Sequence, residues 1–113
     1  MWNDNNDKIL EIYDQLINGE LQKLPSPCPV CGDKEAHVHL QLMNSQKHKG
    51  TVWAWCSSCG SCSHGTVQIP EWWVNNPGIE VSKLNAHPDY LENNKSLVDE
   101  HMTAVLRKIK IYS

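Results

Sequence analysis

Five cysteines are the residues of this sequence best suited to chemistry, and four of them form two C-x-x-C pairs. Cys28 and Cys31 stand in "PCPVCG", and Cys56 and Cys59 stand in "CSSCG". Two thiolates at this spacing can bind one zinc ion from a tight turn, and the glycine after each pair can adopt the positive φ that such a turn needs. The spacing therefore predicts one zinc ion with four cysteine ligands.

The second pair has a competitor in the same segment, because Cys59 and Cys62 are also separated by two residues. The glycine that follows Cys59 favours Cys56 and Cys59 as the ligands. Cys62 is then expected to be a small packed side chain, and His64 to cap the turn or to donate a hydrogen bond to a carbonyl or a cysteine sulfur. Replacement of one predicted zinc ligand by Cys62 or His64 stays open.

The two motifs together resemble the zinc-ribbon family over residues 26–69, since the rubredoxin-type knuckles of that family read C-P-x-C-G and C-x-x-C-G. The resemblance implies a small zinc-binding sheet. It implies little about function, because zinc ribbons occur in transcription factors, ribosomal proteins, enzymes and adaptors. A site closed by four cysteines has no open position for water. We therefore expect the zinc to be structural and the protein not to be an enzyme.

Three strands are predicted around these cysteines. Residues 37–43 alternate between apolar and polar side chains, residues 51–57 place tryptophans on one face, and residues 66–69 can add a third strand. We expect an antiparallel sheet with the cysteine pairs at its turns. His37 and His39 share one strand face, so a second metal site at the surface is the alternative that this face allows.

Helices are predicted on both sides of the sheet. Apolar residues recur at helical spacing over 4–18, where Asp4 or Asn5 can cap the helix. Ser96 and Asp99 form a variant of the capping box before a second apolar stripe. This stripe comprises Val98, Met102, Val105, Leu106 and Ile109.

The 113 residues are the size of one ordinary domain, so we predict a single α+β domain over 1–113. It is a small three-stranded antiparallel zinc ribbon flanked by an N-terminal helix and a C-terminal helix. Short helical turns are expected after Pro70 and over 87–94. The predicted segments are 1–24 for the N-terminal helix, 25–69 for the ribbon, and 70–113 for the helical turns and the C-terminal helix.

Composition bears on the compartment. The sequence contains no apolar run long enough to span a bilayer, and its first residues, "MWNDNNDK", are polar and acidic rather than a secretory leader. An odd number of cysteines fits metal ligands plus one spare better than a disulfide framework. We therefore expect a cytoplasmic protein with reduced thiols and no membrane partner.

Nucleic-acid binding is the alternative function, because zinc ribbons are often transcription-associated. Lys47, His48 and Lys49 form a small basic group on the predicted hairpin loop, and Trp53 and Trp55 could stack on bases beside it. The net charge is −3, however, and the chain has a single arginine. Since affinity for phosphates depends on cations, the charge count favours a protein partner over a nucleic acid.

Tryptophan is the candidate binding residue for a protein partner, because it buries a large area with few rotatable bonds. The candidates are Trp72, Trp73, Trp53 and Trp55. The chain has no phenylalanine, so tryptophan must also fill its core, and we expect Trp53 and Trp55 to lie under a helix. Adjacent Trp72 and Trp73 cannot both point inward easily, so one of them is expected to be partly exposed.

An acidic face is the second candidate surface. Asp4, Asp7, Glu11 and Asp14 are spaced three or four residues apart on the predicted first helix. Such a face could bind the basic active site of a nuclease toxin, so the hypotheses for the whole protein are a toxin-neutralising immunity protein or a small adaptor. The plainer interpretation is that these carboxylates are the solvated side of the helix.

Overall fold

The computed structural model describes residues 2–3, 7–21 and 23–112, with side chains in the last helix described up to residue 108. Asp4, Asn5 and the side chain of Ile109 therefore lie outside the described residues. The elements are a 3-10 helix Asp7–Leu10, α1 Glu11–Ile17, β1 Ala36–Asn44, β2 Lys49–Cys56, β3 Cys62–Gln68, a 3-10 turn Val81–Lys83, α2 Asp89–Asn93 and α3 Lys95–Tyr112. The predicted α+β class, a three-stranded antiparallel sheet between an N-terminal helix and C-terminal helices, is confirmed.

The sheet has the order β1-β2-β3, with both neighbouring pairs antiparallel. The β1–β2 hairpin brings Gly50 so close to β1 that a Cβ there would overlap the carbonyl oxygen of Gln41. Glycine is therefore required at this point of the hairpin, because any larger residue would push the two strands apart.

The third strand begins at Cys62, four residues earlier than predicted. Cys62 pairs with Trp55 across the sheet, and its N–H donates to the carbonyl of Asn3. Cys62 and His64 therefore lie in a strand, and His64 does not cap a turn. The segment looked polar because serine and glycine alternate with Cys62 and His64, and the pairing with β2 overrides this weak local preference.

Both faces of the sheet are covered, which gives the domain two apolar cores. On the side of α1, a first core contains Ile9, Ile12, Leu16, Val38, Leu40, Val52, Ala54, Met102 and Leu106 among others. On the opposite side, a second core contains Trp53, Trp55, Cys62, Ile79, Leu91 and Val98. The last helix, α3, contributes to both cores, as its predicted apolar stripe requires.

The connections and the helix ends differ from the predictions in two places. The expected helical turns after Pro70 are isolated hydrogen-bonded turns, from the N–H of Trp73 to the carbonyl of Pro70 and from the N–H of Ile79 to that of Asn76, before the 3-10 turn Val81–Lys83. The last helix begins at Lys95, so Ser96 lies inside it, and the predicted capping partner Asp99 binds a histidine on β1 instead. No helix among residues 7–21 and 23–112 is both long enough and apolar enough to cross a membrane.

Candidate metal centre

The four predicted cysteines come together at one end of the sheet, where all four Sγ atoms lie within 4.8 Å of one another. Cys28 and Cys31 belong to the first cysteine turn, residues 28–32, which precedes β1. Cys56 and Cys59 belong to the second cysteine turn, residues 56–60, which connects β2 to β3. The antiparallel register places Ala36 opposite Cys56, so the two turns meet at the same end of the hairpin.

The sulfur geometry fits a tetrahedral metal ion. The Sγ atoms of Cys28 and Cys59 are 3.9 Å apart, and those of Cys31 and Cys56 are 3.7 Å apart. These distances are far longer than a disulfide bond of about 2.05 Å. They match the edge of about 3.8 Å that four Zn–S bonds of about 2.3 Å would produce in a tetrahedron.

The backbone of both cysteine turns supports thiolate ligands. The N–H groups of Val30 and Cys31 point at Cys28 Sγ from 3.3 and 3.5 Å, and the N–H of Cys59 points at Cys56 Sγ from 3.5 Å. Hydrogen bonds of this kind stabilise the charged form of the sulfur. The glycines that follow the pairs have positive φ, 85° at residue 32 and 77° at residue 60, as predicted.

Burial differs within each pair, since Cys28 and Cys56 are buried whereas Cys31 and Cys59 are exposed. Burial raises the pKa of Cys56 to about 12, so this sulfur would stay a thiol unless a cation compensated its charge. A bound divalent metal supplies that charge, and the donor set of four sulfurs is typical of zinc. The residues present therefore fit the metal that the sequence predicts.

Cys62 and His64, the two other candidate ligands in this segment, lie outside the group of four cysteines. Cys62 is buried at the start of β3 against the tryptophans of the second core, and His64 is exposed on the same strand. In the described part of the chain, the four cysteines are the group of metal-ligating side chains that the geometry identifies. Neither Cys62 nor His64 replaces one of them.

The surface metal site considered for His37 and His39 is contradicted, because both side chains are buried. The ring of His37 stacks on Trp55, with 5.2 Å between centroids. His39 lies 3.3 Å from Gln41 Oε1 through its Nε2 atom. Burial lowers the pKa of His39 to about 4, so this imidazole is neutral at pH 7.

A polar array connects the second cysteine turn to the helices. Asp99 on α3 holds Nδ1 of His37 from 2.9 and 3.0 Å, and Nε2 of His37 lies 2.9 Å from Ser57 Oγ. Ser57 Oγ in turn donates to Glu92 Oε2 on α2 at 2.8 Å. We name Asp99, His37, Ser57 and Glu92 the tether array. It joins α3, β1, the second cysteine turn and α2.

Glu92 is the end of the tether array with the most partners. Its Oε2 atom also accepts a hydrogen bond of 2.8 Å from the indole N–H of Trp55, and its Oε1 atom is 3.3 Å from Lys95 Nζ. Burial by itself would raise the pKa of Glu92, but the hydrogen bonds from Ser57 and Trp55, with Lys95 nearby, hold it below its ordinary value. Glu92 is therefore a half-buried anion held by these donors.

Three members of the tether array have the connectivity of a Ser-His-Asp triad, with the carboxylate on Nδ1 and the hydroxyl on Nε2. Two features disfavour acyl transfer here. Ser57 donates its single hydroxyl hydrogen to the carboxylate of Glu92 rather than to His37. The negative charge of that carboxylate would also repel an oxyanion formed beside it. The neighbouring N–H groups of Cys59 and Gly60 already donate to Cys56, so they offer no oxyanion hole.

Sequence reasoning missed the tether array because its members are far apart in the chain. His37 and Asp99 are separated by 62 residues, and Ser57 and Glu92 by 35. One signal was available, since two histidines on the same strand face as two tryptophans would be buried if that face were covered. A buried histidine needs a hydrogen-bond partner, and a carboxylate on a covering helix can supply it.

The tryptophan candidates separate into buried and half-buried. Trp53 and Trp55 are 5% and 0% exposed, so they fill the second core. Neither side chain is accessible to a protein partner or to a stacked base. Their indole N–H groups donate to Asn85 and Glu92. Trp73 is also buried, whereas Trp72 is half-buried, which confirms that one member of the pair is partly exposed.

The acidic face and a neighbouring groove lie on the other side of the domain. Asp7, Glu11 and Asp14 are exposed, although Asp7 Oδ1 also accepts a hydrogen bond from Ser63. A groove of about 270 Å³ runs beside α1, where Ile17 is 43% exposed. The groove is lined by Tyr13, Asp14, Ile17, Asn18, Gln68 and Pro70.

Comparison of the chain with protein-family models, with curated proteins and with solved structures found no match.

Proposed function

We propose that this chain is a structural-zinc module of the zinc-ribbon type that binds a protein partner and has no catalytic role. The observation that carries the metal assignment is the convergence of four thiols within 4.8 Å on two glycine-terminated turns. Bound zinc would join the turn before β1 to the turn after β2, which closes the open end of the hairpin. All four positions are taken by cysteine, so the metal would stabilise the fold only.

Metal analysis of two cysteine variants tests this assignment. We expect about one zinc per chain in the purified protein and in Cys62→Ser, because Cys62 lies outside the thiol group. We expect Cys56→Ser to lose most of the zinc. Wild-type protein without zinc, or loss of zinc from Cys62→Ser with retention in Cys56→Ser, would overturn the assignment.

Protein binding is proposed for the surface beside α1 that carries the groove and the exposed carboxylates, and half-buried Trp72 is a second candidate contact. The groove combines an apolar wall at Ile17 with a carboxylate at Asp14. Such a surface suits a partner segment with apolar and basic side chains. A basic nuclease toxin is one partner of this chemistry, which would make the protein an immunity protein, and an adaptor role requires only a basic protein. Reduced zinc thiolates suit the cytoplasm.

The alternative function, nucleic-acid binding, is less favoured because Trp53 and Trp55 are buried and cannot stack on bases. Lys47, His48 and Lys49 remain as a small basic group. Pull-down from lysate with and without nuclease treatment separates the two functions. We expect a nuclease-resistant partner that Trp72→Ala weakens by about 2 kcal/mol if Trp72 is a hot spot. Oligonucleotide binding near physiological salt that disappears in the double variant Lys47→Glu, Lys49→Glu would overturn the protein-binding proposal.

A further inference from the structure

The short helix α2 is too short to be stable by itself. It has five residues, Asp89–Asn93, and its N-cap residue makes no side-chain hydrogen bond. A helix of this length is unstable alone in water, because the first turn costs more conformational entropy than its few hydrogen bonds recover. Its place over the second core must therefore come from tertiary contacts.

The contacts of α2 point to the second cysteine turn. Leu91 is buried in the second core, Asp89 accepts a hydrogen bond from the indole of Trp2, and Tyr90 Oη accepts one from the N–H of Glu80. These two hydrogen bonds are exposed, whereas the Oε2 atom of Glu92 receives the hydroxyl of Ser57 and the indole of Trp55 in part-buried contacts. Hydrogen bonds to a carboxylate are stronger than neutral ones, so Glu92 is the main polar anchor of α2.

Ser57 is fixed by the same turn that presents two metal ligands. Its N–H donates to the carbonyl of Glu35, and it follows Cys56 directly. Its hydroxyl then faces His37 on one side and Glu92 on the other, at 2.9 and 2.8 Å. Because His37 is held by Asp99 on α3, one hydroxyl connects the metal turn to both C-terminal helices.

We infer that Ser57 is a positioning residue through which the metal turn docks α2 and the start of α3 on the second core. The inference rests on the proposed metal site for what holds the turn in place. When the turn is ordered by its metal, the hydroxyl is aimed at Glu92 and α2 stays over Trp55 and Leu91. When the turn loosens, α2 loses its main polar anchor and separates from the core before the hairpin does.

Hydrogen exchange followed by mass spectrometry on the full chain tests this inference, with zinc content measured for every sample. Ser57→Ala and Ser58→Ala are matched variants, because Ser58 is exposed on the same turn and donates to Asp33 instead. In zinc-loaded protein we expect Ser57→Ala to speed exchange over residues 89–98 about tenfold, as for loss of one hydrogen bond to a charged acceptor. We expect β1 and β2 to keep wild-type exchange, and Ser58→Ala to match wild type throughout.

Chelation of the wild type should speed exchange over residues 89–98 at least as much as Ser57→Ala does. If Ser57→Ala loses its zinc, Glu92→Gln supplies the same test from α2, since Glu92 is remote in sequence from the ligands. Zinc-loaded variants whose exchange over 89–98 equals that of Ser58→Ala would overturn the inference while leaving the metal assignment intact. A purified wild type without zinc would overturn both.

Discussion

At the scale of single residues, the polar side chains of β1 are the least predictable feature of the fold. His37 and His39 alternate with apolar residues, a pattern typical of a strand with one solvated face. The face is covered instead, because burial of the large rings of Trp53 and Trp55 on the paired strand gains more free energy than desolvation of the two histidines costs. The sequence predicted correctly which side chains share a face. The burial of that face depends on α2 and α3, which are distant in the chain.

A pH dependence of stability is expected from His39. Its folded pKa of about 4 lies below the ordinary value of about 6.5, so between these pH values the unfolded chain binds a proton that the folded chain does not. Stability therefore falls as the pH drops through 6.5, and it continues to fall until about pH 4. Between pH 7.5 and 5.5 we expect His39 to account for a loss of about 1 kcal/mol in the free energy of unfolding.

Urea unfolding of His39→Gln at these two pH values measures this contribution, with His64→Gln as the matched control on an exposed strand position. His39→Gln should lose about 1 kcal/mol less than wild type on acidification, whereas His64→Gln should follow wild type. Equal slopes in all three proteins would show that the buried imidazole does not control this part of the pH profile.

At the scale of elements, signals within a few residues predicted well and signals between elements did not. The two cysteine turns were predictable because ligand spacing and the following glycine are local requirements. The start of β3 at Cys62 was missed, because its strand geometry comes from pairing with Trp55. The predicted cap of α3 was wrong for a similar reason, since Asp99 binds His37 on another element.

The β1–β2 hairpin offers a sharp test at this scale. Gly50→Ala should reduce the free energy of unfolding by about 1–3 kcal/mol, because its Cβ would overlap the backbone of Gln41. Gly65→Ala on β3 is the control, since a Cβ there meets nothing within 4 Å, and it should change stability little. Chemical denaturation of both variants gives the comparison, and equal stabilities would contradict the close approach of the two strands.

At the scale of the whole molecule, the sheet lies between two apolar cores and is closed at one end by the cysteines. The second core is small and depends on α2, a loop and the start of α3. The first core packs a single short helix, α1, and part of α3 against the sheet. Domains of about this size are only marginally stable, by about 5–15 kcal/mol. A metal ion bound at the open end of the hairpin would therefore contribute a large share of the free energy of unfolding.

Removal of the metal is expected to abolish the cooperative thermal transition of the sheet. Structural zinc contributes an apparent binding free energy on the order of 10 kcal/mol, comparable to the stability of a whole domain. Without it, the thiol of Cys56 is buried next to three other sulfurs, with no cation to hold the two turns together. Differential scanning calorimetry before and after chelation measures the effect, and restoring zinc should restore the transition. A chelated protein with an unchanged melting transition would show that the two cores hold the sheet without the metal.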